Sequence, residues 1–105
     1  MTNAYVRVSF DAYVGTLEVY GSDLLRDDFD AAMTAAKLAA NGWAKGPKFG
    51  SQSMFIMPSN LPVPVPSARE LAAIDATLTL RTRSAERAAR AVLQGRGYTV
   101  TTRPK

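Results

Sequence analysis

Two stretches near the N-terminus alternate apolar and polar residues, and they restrict the fold more than anything else in the chain. In YVRVSF, residues 5–10, Val6, Val8 and Phe10 fall on one side and Tyr5, Arg7 and Ser9 on the other. In TLEVY, residues 16–20, Leu17 and Val19 oppose Glu18 and Tyr20. A period of two is the mark of a half-buried strand. Asp11 to Gly15 supply a turn, so the two strands read as a hairpin with one apolar face. That face must be covered by helices or by a second sheet.

The next segment offers the cover. Gly21 and Ser22 break the strand, and Ser22 or Asp23 can cap a helix by accepting from a first-turn N–H. Asp23, Asp27 and Asp28 suit the positive end of the helix dipole. Leu25, Phe29, Ala32, Met33, Ala36 and Ala40 recur at helical spacing, which predicts a buried stripe running to about Asn41. Gly42 is a left-handed stop, and Trp43 can pack back on the last turn.

Residues 43–50, WAKGPKFG, read as a loop, and Ser51 to Met57 as a strand apolar on both faces. Residues 58–67, PSNLPVPVPS, read as a proline-rich arm or crossover, because Pro62, Pro64 and Pro66 cannot donate to a sheet. Ser67 caps a short helix, ARELAAID. Ala76 to Arg83 alternate Leu78 and Leu80 with Thr and Arg, which predicts a strand. Ser84 caps a second helix ended by Gly95 and Gly97, and Tyr98 to Arg103 form a last strand.

Without the first strand and the short helix, this order is β-α-β-β-α-β. The expected fold is therefore α+β, a ferredoxin-like sheet with two helices and an extra N-terminal strand, over one domain of residues 1–105. RNA-recognition motifs share that order. They stack bases on aromatics of two strands, however, and TLTLRTR offers Thr and Arg at one of them, so no family is assigned.

Composition narrows the chemistry. The 105 residues include no His and no Cys. The usual neutral-pH base, the usual metal nitrogen and the disulfide are all missing. No phosphate-cradling glycine loop or nucleophile elbow is present. Asp23, Asp27 and Asp30 share a helix edge, but they read as a solvated first turn favoured by the dipole. An enzyme, a cofactor and a metal are therefore not expected. Nor is a membrane span, since no apolar run approaches the ~20 residues required. The start lacks a secretory pattern, which points to the cytoplasm. Arg outnumbers Lys nine to four and Ala is abundant, the bias of a GC-rich bacterial or phage genome.

Charge is distributed unevenly. From Arg81 onward there are seven bases and one acid, Glu86, or +6. The residues before hold six bases and eight acids, or −2, which together give the net +4. Arg81, Arg83, Arg87, Arg90, Arg96 and Arg103 are the candidate contacts. On the expected sheet, Arg81, Arg83 and Arg103 point away from the helices, while Arg87 and Arg90 lie outward on the second helix. Trp43, Lys45 and Lys48 form a second, aromatic-basic cluster, where Trp43 either plugs the core edge or stacks on a base.

These features favour a non-enzymatic protein that binds and modulates a bacterial protein or nucleoprotein complex. A phage-encoded inhibitor of the anti-CRISPR kind is one concrete form. The alternatives are a small basic nucleic-acid-binding protein using the C-terminal arginines, and a structural or self-assembling subunit, for which a homodimer is the simplest form.

Overall fold

The computed structural model describes residues 3–11, 14–45, 53–57 and 68–102. The first two strands are β1 (Asn3–Asp11) and β2 (Val14–Tyr20), paired antiparallel from Tyr5 opposite Tyr20 to Asp11 opposite Val14. This is the hairpin that the alternation predicts. α1 (Arg26–Ala39) follows, then the two-residue β3 (Ala44–Lys45) and β4 (Ser53–Ile56). α2 spans Ala68–Gly95, and β5 (Thr99–Thr102) closes the described chain.

The sheet is mixed, in the order β3-β4-β2-β1-β5. Among the described residues only the β1–β5 pair is parallel. The molecule is α+β, with both helices packed on one sheet face. Alternate residues of each strand supply the sheet's half of the core: Ala4, Val6, Leu17, Val19, Met54 and Ile56. Ala32, Met33, Ala36 and Ala40 from α1 and its C-cap supply part of the other half, and Leu78, Thr82, Ala85, Ala89 and Leu93 of α2 the rest. On the far face lie Tyr5, Arg7, Thr16, Glu18, Tyr20, Phe55, Thr99 and Thr101, exposed or half-buried. Among the described residues no element covers that face.

The largest correction concerns residues 68–95. The short helix, the strand over 76–83 and the second helix are one continuous helix. TLTLRTR satisfies two periods at once. Its Leu78 and Thr82, continued by Ala85, Ala89 and Leu93, recur at intervals of four, three, four and four, which is a helical stripe. No Gly or Pro interrupts the chain from Ala68 to Gln94, and the Ala-rich flanks favour helix. Leu80, inward on the expected strand, is 56% exposed. Ser84 lies inside the helix and caps nothing. At 28 residues, α2 is about 42 Å long, most of the 49 Å long axis of the molecule. Its buried residues begin only at Leu78, so none of its first ten residues is fully seated in the core.

The strand order also differs from the ferredoxin-like expectation. The extra strand, β1, lies inside the sheet, between β2 and β5, and so separates two strands that are neighbours in a ferredoxin-like sheet. The strand at 51–57 is described only over Ser53–Ile56. There Met54 and Ile56 are buried, while Phe55 stands 49% exposed on the other face. Its two-faced apolar character is therefore not that of a strand covered on both sides. The loop read over 43–50 contains β3. The proline-rich segment 58–67 lies outside the described residues.

α1 begins later than Ser22. Its N-cap is Leu25, which makes no side-chain cap hydrogen bond and is largely exposed. Its end is as expected, with Asn41 (φ 53°) and Gly42 (φ 87°) left-handed, and the Trp43 N–H donating to the Ala40 carbonyl. α2 ends in a similar way. Gly97 has φ 94°, and the Tyr98 N–H donates to the Leu93 carbonyl. In each case an aromatic follows the left-handed Gly and turns back onto the core.

Candidate interaction surface

The merged helix rearranges the arginines. Residues three and four apart share a helix flank, so Arg83, Arg87 and Arg90 stand together and Arg81 stands on the opposite flank. Glu86 lies inside the group. It takes Arg83 Nη1 at 3.3 Å and Arg90 Nη2 at 3.7 Å and is only 15% exposed. Arg87 is exposed and makes no ion pair among the described residues. Three arginines around one glutamate leave a surplus of two positive charges on this flank.

The flank meets the end of β1. The Arg83 guanidinium lies over the Phe10 ring, 5.5 Å from its centroid. Phe10 is 44% exposed. Leu80, about one turn before Arg83 on α2, is also open to solvent. The flank thus combines three guanidinium groups, one largely enclosed counter-charge and two exposed apolar side chains.

The other expected contacts are scattered. Arg81 is half-buried, with its Nε enclosed and without a hydrogen-bond partner among the described residues. It belongs to α2 and does not point from a sheet face. Trp43 packs against the core, so it plugs the edge. Lys45 lies in β3, at the opposite end of the sheet from β5. Lys48 and Arg103 lie outside the described residues.

Arg96 serves a different cluster, which the sequence pattern does not reveal. Its Nη1 donates to Asp28 Oδ1 at 2.8 Å. The Tyr98 hydroxyl donates to Asp28 Oδ2 at 2.6 Å and accepts from the Leu25 N–H at 3.1 Å. The hydroxyl replaces the side-chain cap that α1 lacks, and the cluster ties the start of α1 to the end of α2. The Tyr98 hydrogen bond, then Arg96, hold the Asp28 carboxyl below its ordinary value of 3.8. The same bond to Asp28 raises the Tyr98 phenol above 10.0. At neutral pH the phenol keeps its proton and the carboxylate its charge, so the pair acts as a clasp. A cleft of about 270 Å³ lies beside it, lined by Asp23, Leu25, Asp28, Arg96, Gly97 and Tyr98. The partners are about 70 residues apart in sequence, and no local pattern signals them.

Among the described residues no group of three acidic side chains is placed to hold a metal ion, and no helix is long and apolar enough to cross a membrane. Comparison with known proteins gives no match to a family model, a curated protein or a solved structure.

Proposed function

We propose that the chain is a non-enzymatic interaction protein that docks a bacterial protein or nucleoprotein complex through the outer flank of α2. Arg83, Arg87 and Arg90 are the charged contacts, and Phe10 and Leu80 the apolar ones. The observation that carries this reading is the Arg83 guanidinium resting over an exposed Phe10. Arginine and aromatic side chains are the types enriched at the energetic centres of interfaces. Inhibition of the bound partner, as by an anti-CRISPR protein, and a cytoplasmic location belong to the same proposal.

Glu86 favours a protein over nucleic acid as the partner. It engages Arg83 and Arg90 from within the flank, so phosphates would have to compete for two guanidinium groups that already have a carboxylate partner. The fold does not decide the matter. We read it as a ferredoxin-like arrangement in which β3 and β4 fill the two middle strands and β1 is inserted between β2 and β5. That architecture hosts unrelated functions.

The test is capture from bacterial lysate by the tagged protein, with and without nuclease, comparing the wild type with Arg83→Glu/Arg87→Glu. A specific protein that survives nuclease and is lost with the double variant supports the proposal. Capture that vanishes with nuclease moves the function to nucleic acid. Capture that the double variant leaves unchanged removes the α2 flank as the contact.

A further inference from the structure

The uncovered face of the sheet carries opposite charges at its centre. By the β1–β2 register Tyr5 lies beside Tyr20, Arg7 beside Glu18 and Ser9 beside Thr16. Arg7 is exposed and Glu18 half-buried. Although they are cross-strand neighbours, neither belongs to an ion pair among the described residues. The Tyr5 and Tyr20 rings meet at 5.6 Å, tilted by 33°. On β4, next to β2, Phe55 stands exposed beside Thr16. Aromatic rings, an unpaired cation and an unpaired anion thus share one surface, and aromatics and Arg are enriched at interfaces.

The register decides which occupant fits. A second copy can pack face to face about a two-fold axis that runs along the strands, midway between β1 and β2. That rotation lays β1 of each copy over β2 of the other, at the same height along the strands. Arg7 then faces Glu18 of the second copy, and Tyr5 faces its Tyr20, each twice. Packed sheets lie about 10 Å apart, a gap that an arginine and a glutamate span together. A two-fold axis across the strands, through the Arg7–Glu18 row, sets Arg7 on Arg7 and Glu18 on Glu18 instead. Charge therefore selects the first axis. A polyanion is a poorer occupant, because Glu18 stands at the centre of the face.

We infer that the open sheet face is a self-association surface, closed by a second copy of this chain through reciprocal Arg7–Glu18 pairs. At about 3.4 Å per residue and about 4.8 Å between strands, the described strands present a flat footprint of roughly 400 Å² per copy. Two such footprints fall below the ~1,200 Å² of a stable complex, so the dimer is weak and exchanges with monomer. The face lies on the opposite side of the sheet from the helices, so the inference stands whether or not the α2 flank binds a partner. A dimer built this way presents two α2 flanks outward, and a partner with two sites meets both at once.

The test is sedimentation equilibrium of the full chain from micromolar to submillimolar concentration. A monomer–dimer equilibrium is expected, with 15N-amide shifts on dilution centred on residues 5–7 and 18–20. Arg7→Glu or Glu18→Arg alone weakens association about tenfold or more, because each sets like charges face to face. An equimolar mixture of the two variants recovers it, since the mixed dimer holds one native and one reversed pair. Arg7→Glu/Glu18→Arg in one chain keeps opposite charges beside each other within each copy and associates like the wild type. A monomer throughout the range, a dimer that neither single variant weakens, a mixture that stays monomeric, or dilution shifts centred on α2 overturns the inference.

Discussion

The sheet and α2 approach closely at Gly15, which gives a quantitative test of the packing. Gly15 is buried on β2, and a Cβ there would meet Thr82 on α2. That carbon would clash with the hydroxyl oxygen and lie 3.1 Å from Cγ2 and 3.2 Å from Cβ. Thr82 is fully buried and β-branched, so it has few rotamers with which to retreat. Gly15→Ala therefore pushes α2 off the sheet. Overpacking of this kind costs about 1–3 kcal/mol. The lost freedom of the unfolded chain returns roughly 0.4–1 kcal/mol. The net destabilisation is about 1–2 kcal/mol, or a fall in Tm of about 5–15 °C for a domain of this size. Thr82→Ala removes both Oγ1 and Cγ2, so the double variant should recover part of the loss, with a coupling of about 0.5 kcal/mol or more. Urea unfolding of the four proteins, followed by circular dichroism, measures the cycle. A neutral Gly15→Ala, or strictly additive variants, would refute the seating of α2 on β2.

Three further outcomes follow from the same geometry. Leu80→Pro, in the middle of α2, should cost about 3 kcal/mol or more, whereas Leu80→Ala at the same exposed site should stay within about 0.5 kcal/mol; equal effects in chemical denaturation would argue against a continuous helix. Asp28→Asn should lower Tm at pH 7, and because the folded-state carboxyl titrates below 3.8, the gap to wild type should close as pH falls from 3.8 through that lowered value; a gap constant to acid pH below both values would contradict the clasp. Arg81→Ala should leave partner capture intact while Arg83→Ala reduces it, since the two lie on opposite flanks of α2; equal losses would count against the proposed surface.

Much of the fold is written locally. The β1–β2 hairpin is legible because its alternation needs only neighbours two residues apart. The ends of both helices are legible because Gly42 and Gly97 take a backbone conformation that other residues resist. β3 is too short to leave a pattern. The clasp is not legible because Asp28 meets Arg96 and Tyr98 across about 70 residues of sequence, beyond any local pattern.

The segment over residues 76–83 shows why the site is less legible in the sequence than the fold. In TLTLRTR a period of two places Arg81 and Arg83 on the same face, whereas a helical period places them on opposite flanks. The local residues permit both. The decision comes from outside the segment, from uninterrupted Ala-rich chain on either side and from Thr82 fitting against a glycine on β2. Once the helix is continuous, Arg83 joins Arg87 and Arg90 around Glu86, and the aromatic at the end of β1 comes within reach. The basic surface is thus a consequence of long-range packing, although every charge in it is visible in the sequence.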